Sequence, residues 1–317
     1  MKENHDQVSV LALNPSVDIS YEIPQLLAYQ KVRAKQTWYH PGGNGINVAR
    51  ALTELGVTTN CCSIIAGESG DLLLKLLGDS LGDRHKPFRV DGESRLNTTI
   101  MQQNPPGQYE ITSVGPEVSA DALASACDCF LGVVDKGIAV LSGLLPPGAP
   151  DNTYRDLIER INQQGGRAVL DAHGEPLLQA LEAKPWLLRF NHYVFEVTMK
   201  RRMDTREQVA EVARTIQQQG VEYVCVSLGD KGAVLVDAEN SYHCEAPRIH
   251  KQSTVGSGDS LVSGLIATAL NKQTPQQMLR FGVICGSATA THPGTELFTH
   301  DDLETEADEL EVAVLDI

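Results

Sequence analysis

After a polar start, the chain opens with a short β-branched and aliphatic run, Val8 to Leu13, closed by Asn14-Pro15. Apolar runs of this length bounded by turn formers predict a buried strand. Ile19 to Trp38 mixes Tyr, Ile, Val and Thr with polar residues, which predicts exposed strands in a small flap. Ile46 to Leu55 then shows apolar residues at helical spacing and stops at Gly56, a natural C-terminal terminator. A strand over Thr59 to Ile65 and a helix over Asp71 to Leu77 follow. Thr98 to Met101 and Tyr109 to Ser113, separated by Asn104-Pro105-Pro106-Gly107, read as a hairpin. Together with the flap it makes a lid whose strands fall within about 15–40 and 95–115.

From Ile138 the pattern turns regular: strand Ile138 to Ser142, helix Asn152 to Gln164, strand Ala168 to Asp171, helix Pro176 to Leu181, strand Leu187 to Asn191. Asp204 begins an Asp-Thr-Arg-Glu capping box for a helix reaching about Gln219. Strands Tyr223 to Ser227 and Ala233 to Asp237 precede a helix from Asp259 to Leu270 and another starting at Thr274-Pro275. Alternation of this kind predicts parallel β/α units. The expectation is an α/β fold: one Rossmann-like, doubly wound domain over 1–317, with a mainly parallel sheet, helices on both faces and a small β-lid.

Composition sharpens this picture. Hydrophobic residues make up 42% of the 317 and aromatics only 5%, so the core must be built from Leu, Val, Ile and Ala, as in helix-covered parallel sheets. Twenty-six basic against 41 acidic residues leave a net charge of −15. Such a chain repels nucleic-acid backbones and anionic lipid, and an anionic substrate would need a local basic pocket. Eight of the acids lie in the last seventeen positions, which predicts a solvated helix face or frayed end. The seven cysteines are odd in number and several sit in apolar runs, as reduced core residues do; with a polar Met1 to Gln7 and no long apolar stretch, cytoplasm is the expected compartment. Cys127 and Cys129 lack the second pair or spaced His that a structural zinc site requires.

Two segments carry candidate chemistry. Thr254-Val255-Gly256-Ser257-Gly258-Asp259-Ser260 lies between strand and helix. Glycines there let backbone amides turn toward phosphate oxygens at the positive end of a helix, and a carboxylate at the same turn can take the proton of an attacking hydroxyl. The pattern alone is equally that of an ordinary turn with Asp259 as a cap. Pro41-Gly42-Gly43-Asn44-Gly45-Ile46-Asn47-Val48-Ala49-Arg50 also leads into a helix; its glycines permit close approach of a polyol, and Asn47 offers both donor and acceptor. A structural turn explains it as well, whereas a dinucleotide fingerprint does not fit its spacing.

Together, Gly42 to Arg50 and Thr254 to Ser260 resemble the two signature regions of the ribokinase-like (PfkB) sugar kinases, and the likeness runs to about Asp302. Within that family the chain looks most similar to the minor ATP-dependent 6-phosphofructokinases, with 1-phosphofructokinases and tagatose-6-phosphate kinases close behind. The resemblance implies a Rossmann-like domain with a β-lid that often dimerises, and ATP with Mg2+ as donor. By matching position it makes Asp259 the catalytic base, with Gly256, Ser257 and Gly258 as its anion hole. It makes Asp18, Gly42, Gly43 and Asn47 contacts of the sugar, and Lys31 and Arg95 contacts of its phosphate. It further assigns the nucleotide to Asn191, Ser227, Gly229, Gly232 and Ser287, and K+ in some relatives to the positions of Val255 and Gly294. For Lys31 and Arg95 an exposed cation is the bland alternative, and for Asp18 a turn-forming role. His173, in Asp-Ala-His-Gly-Glu, reads as a solvated loop histidine that nothing in the pattern requires.

Two departures stand out. Where relatives carry Lys-Pro-Asn-x-x-Glu, this chain has Arg189-Phe190-Asn191-His192-Tyr193-Val194, so the carboxylate that organises magnesium is missing. Glu196 is the nearest substitute, about 7 Å further along a strand. Relatives also read Ser-Gly-Ser-Leu-Pro-Pro-Gly where Leu144 here replaces a hydroxyl that helps hold the phosphosugar, a loss on the order of 1 kcal/mol. Hence the leading expectation is phosphorylation of a ketohexose phosphate, fructose 6-phosphate first, against a weakened relative that only binds sugar phosphate or nucleotide. A kinase for nucleosides or unphosphorylated sugars is a third reading, which would leave the basic pocket unused.

Overall fold

A computed structural model describes residues 7–303 and 310–317. In chain order the elements are β1 (Val8–Ala12), β2 (Ser16–Ile23), β3 (Gln36–Gly42), α1 (Asn44–Glu54), β4 (Thr59–Ala66), α2 (Gly67–Leu77), β5 (His85–Val90), β6 (Arg95–Gln102) and β7 (Gly107–Ile111). Then follow α3 (Ala120–Val134), β8 (Ile138–Ser142), α4 (Thr153–Gln163), β9 (Arg167–Asp171), α5 (Gly174–Leu181), β10 (Leu187–Asn191), α6 (His192–Met199), α7 (Arg206–Gln217) and β11 (Tyr223–Ser227). The last are β12 (Ala233–Val236), β13 (Ser241–Cys244), α8 (Ser257–Leu270), α9 (Pro275–Ala290), α10 (His300–Leu303) and β14 (Val312–Val314).

Ten strands form the main sheet in the order β14-β13-β12-β11-β10-β9-β8-β1-β4-β5. From β11 to β5 every pairing is parallel, and β12, β13 and β14 extend the edge antiparallel. Successive side chains of a strand point to opposite faces, so a sheet covered on both sides is built mostly from apolar residues on either face. β1 shows this: Leu11 enters the core beneath α3 and α4, while Val8, Val10 and Ala12 join the core beneath α1 and α8. The expected doubly wound α/β architecture is the observed one. The winding reverses between β1 and β8, which opens a crevice at the carboxyl ends of those two strands.

A second sheet, β3-β2-β6-β7, stands over that end of the first. On the other flank α8 and α9 approach closely, because Gly264 faces Gly282: a Cβ on Gly264 would lie 2.8 Å from the Gly282 Cα.

Several local expectations need correcting. The helix expected from Asp204 starts one residue later: Thr205 is the N-cap, its hydroxyl accepting from Gln208 N, and Asp204 N donates to Gln208 Oε1. The acidic C-terminal stretch is not all helix or frayed end, since Val312–Val314 pairs with β13; positions 304–309 lie outside the described residues. Cys127 and Cys129 sit on α3, an element the pattern reading left unassigned, as it did β5 and α6.

Candidate active site

The center of the site is the start of α8. Gly256 takes a left-handed conformation (φ 83°) as the N-cap, and a Cβ there would press to 2.6 Å from Leu297. Only glycine permits this turn at low cost. The first helical turn thus leaves its amides facing outward beside Ser257, whose buried hydroxyl has no partner among the described residues.

Asp259, in that turn, is 4% exposed. Asn44 Nδ2 donates to its Oδ1 and Asn47 Nδ2 to its Oδ2, each at 2.9 Å. The two asparagines are three apart on α1, so one helix face presents both to the carboxylate. Burial pushes the Asp259 pKa up to about 7; negative Asp171 adds to the rise, while both asparagines and Arg189 oppose it. A carboxyl poised near neutrality is suited to general-base work. Asn47 also keeps its buried Oδ1 unpartnered.

The second sheet contributes Asp18. Its Oδ1 accepts from Ser16 Oγ at 2.6 Å and Asn97 Nδ2 at 3.1 Å, and its Oδ2 from Thr295 Oγ1 at 3.0 Å. Gly42 lies against this carboxylate so closely that any side chain would overlap it, and Gly43 (φ 89°) caps α1 against Pro15. Behind Asp18 the half-buried Arg50 donates to Pro41 O and Thr295 O; desolvation lowers its pKa to about 10. These contacts bind the end of β3 to the loop after α9.

Three neighboring strand ends complete the floor. Arg189, 8% exposed on β10, donates through Nη1 to Asp171 Oδ2 at 3.1 Å and through Nη2 to Ser227 Oγ at 2.7 Å. Its guanidinium fills the space a Cβ on Gly258 would need. Arg95, at the start of β6, is 4% exposed and donates to Asn14 O at 3.0 Å.

Other expected positions lie around this center. Gly229 and Gly232 form the turn after β11, where a side chain on Gly232 would collide with Cys244 O; Ser287 is buried on α9. Val255 precedes the α8 turn and Gly294 (φ 63°) abuts Ser20 and His40. Asn191 caps α6, its Oδ1 accepting from Val194 N at 2.7 Å. Lys31 is exposed in the irregular stretch between β2 and β3 and makes no hydrogen bond or ion pair among the described residues.

Glu196 does not lie on a strand extension, as its candidacy assumed. Residues 192–199 are helix, where a step of two turns a side chain to the opposite side. Its carboxylate accepts from Met203 N at 2.6 Å and lies 3.7 Å from His192 Nε2. Among the described residues no group of three acidic, His or Cys side chains is arranged to hold a metal. The residues present therefore do not build a magnesium site of their own.

Sequence reasoning passed over Asn44, Asn97, Arg189, Asp171 and Thr295. Asn44 had a signal, its spacing of three from Asn47. Thr295 and Asn97 reach Asp18 only through tertiary contact.

Comparison with known proteins places the chain in a family. The pfkB family carbohydrate kinase profile matches residues 12–302. The chain belongs to that family of sugar kinases. It is 32% identical over 295 residues to a 1-phosphofructokinase of Bacillus subtilis, covering 92% of this chain and 95% of that one. It is also 32% identical over 302 residues to the ATP-dependent 6-phosphofructokinase isozyme 2 of Escherichia coli, covering 94% and 97%. The crystal structure of Escherichia coli phosphofructokinase-2 with substrates and products superimposes with a TM-score of 0.88 at 31% identity, over 95% and 98% of the chains. For this pfkB kinase, then, the α8 turn and its buried carboxylate lie within the matched span of residues 12–302.

Proposed function

We propose that this chain transfers the γ-phosphoryl group of ATP to a primary hydroxyl of a ketohexose phosphate, with fructose 6-phosphate the preferred acceptor. One observation carries the reading: a buried carboxylate with a pKa near 7 stands at the mouth of a glycine-lined helix N-terminus, with the polyol-binding candidates Asp18 and Asn47 on its flank. Asp259 accepts the hydroxyl proton, the amides of Gly256 to Gly258 and the α8 dipole take up charge on the transferred group, and Asp18 with Asn47 Oδ1 orients the sugar. The nucleotide runs along Asn191, Ser227, Gly229, Gly232 and Ser287. Arg95 serves the acceptor's own phosphate.

Magnesium carried by the nucleotide would neutralize phosphate charge, and neither Val194 nor the turned-away Glu196 would hold it. Potassium belongs near Val255 and Gly294, a reading supported by the complex of Escherichia coli phosphofructokinase-2 with potassium.

A homodimer formed through the lid fits the register of the second sheet. Cross-strand partners share a face, which puts Tyr39, Leu96, Tyr109 and Ile111 on one side and Asp18, His40 and Asn97 on the other. All four of the former are exposed, so the face away from the site is apolar and open. Lys31, in the same lid, is the basic group for which no place is found within one chain. A cytoplasmic setting accords with seven unpaired cysteines, and no helix among the described residues is long and apolar enough to cross a membrane.

Steady-state assays with ATP, magnesium and fructose 6-phosphate, fructose 1-phosphate or tagatose 6-phosphate test the reading. Turnover of none of them, with binding still visible by calorimetry, would favor a sugar-phosphate or nucleotide sensor, the alternative that Val194 and Leu144 recommend.

A further inference from the structure

At the carboxyl ends of β1 and β8, where the winding reverses, lies a cleft of about 510 Å³ walled by Asn14, Ser113, Leu144, Pro147 and His173. Such crevices are the ligand positions of doubly wound sheets. This one adjoins the base: a Cβ on Gly143, in the cleft wall, would lie 3.3 Å from Asn44 Oδ1, and Asn44 holds Asp259. Behind the wall Arg95 is buried, bonded to Asn14 O, and without an ion pair among the described residues. Asp18 is near enough to act on it electrostatically but makes no direct ion pair with it, so the buried guanidinium can still accept an anion beside it.

The cleft wall has an unusual chemistry. Leu144 places an apolar side chain there, so it offers an anion nothing. His173 extends into the same cleft from the N-cap position of α5, and its ring makes no hydrogen bond or ion pair among the described residues. Of the nearby carboxylates, Asp171 is engaged by Arg189 and Glu175 by Gln179, while Asp151 lines the cleft without a hydrogen bond or ion pair among the described residues. His173 stands at the N-terminus of α5, the end of a helix that favors negative charge.

We infer that His173 is a specificity-determining residue, donating a hydrogen bond to the acceptor's phosphate in this cleft and taking the part of the hydroxyl that Leu144 lacks. The inference rests on the phosphosugar-kinase reading. His173→Ala is exposed and leaves the core untouched, so it should fold.

The test is the KM for fructose 6-phosphate and for ATP in wild type, His173→Ala and His173→Ala/Leu144→Ser. The expected result is a rise of about tenfold or more in the phosphosugar KM of the single variant, with the ATP KM unmoved and the rise partly reversed in the double variant. A phosphosugar KM within twofold of wild type overturns the assignment, as does an equal rise in both KM values. If the wild type itself turned over no sugar phosphate, the kinase reading would fail first, and this inference with it.

Discussion

Arg189 and Gly258 are mutually dependent: the guanidinium occupies the volume that any side chain at 258 would claim, and from there it bridges Asp171 and Ser227. A cation is thereby held against the amide turn that the proposed mechanism assigns to the transferred group. Gly258→Ala should expel it. We expect a destabilization of about 1–3 kcal/mol from the steric conflict, read as a lowered Tm, together with a raised KM for ATP.

Asp259 combines function with a stability cost. Its pKa is raised from the ordinary aspartate range to about 7, chiefly by burial. A carboxyl with a raised folded-state pKa contributes its full stability below the unfolded pKa and loses it progressively as pH rises to the folded pKa. Asp259→Asn, neutral throughout, should therefore gain in Tm relative to wild type from about pH 4 to pH 7, with a constant advantage above. Its kcat should drop by about 10²–10⁴. Normal turnover in this variant would remove Asp259 from the mechanism.

The same value places the acid limb of the pH profile. Because the base acts only when ionized, kcat/KM should rise with pH and level off above about 7. Arg189 lowers the Asp259 pKa, so Arg189→Met should move this limb to higher pH. It also strands the buried Asp171 without its partner, which costs about 3–5 kcal/mol. A limb that stays in place would show that Arg189 does not act on the base.

If the lid's apolar face is a dimer surface, lysines on it should break the assembly. Leu96→Lys with Ile111→Lys, both exposed in the single chain, should halve the mass seen by light scattering without lowering monomer solubility. An unchanged mass would place any interface elsewhere.

Much of the architecture was readable along the chain because parallel strands buried on both faces are written as continuous apolar runs. Ile138 to Ser142, Leu187 to Asn191 and Tyr223 to Ser227 emerge with the expected bounds. α6 was harder: His192–Met199 is short and follows β10 without a break, so its helical turn, and the fate of Glu196, are invisible to a strand extrapolation. Asp259 and Asn47 could be singled out because glycine turns leading into helices are local. Thr295, 277 positions from Asp18, could not.

By itself the sequence determined the alternation of strand and helix, the two glycine turns and the carboxylate set in one of them, since each follows from residues within a few positions of one another. Only the tertiary structure decided that Asn44 and Asn47 clasp that carboxylate, that burial raises its pKa, that Arg189 backs Gly258, and that His173 shares a cleft with Leu144. Proton affinity and contact across the sheet depend on what the rest of the chain brings near and how much water it excludes, and neither quantity is local.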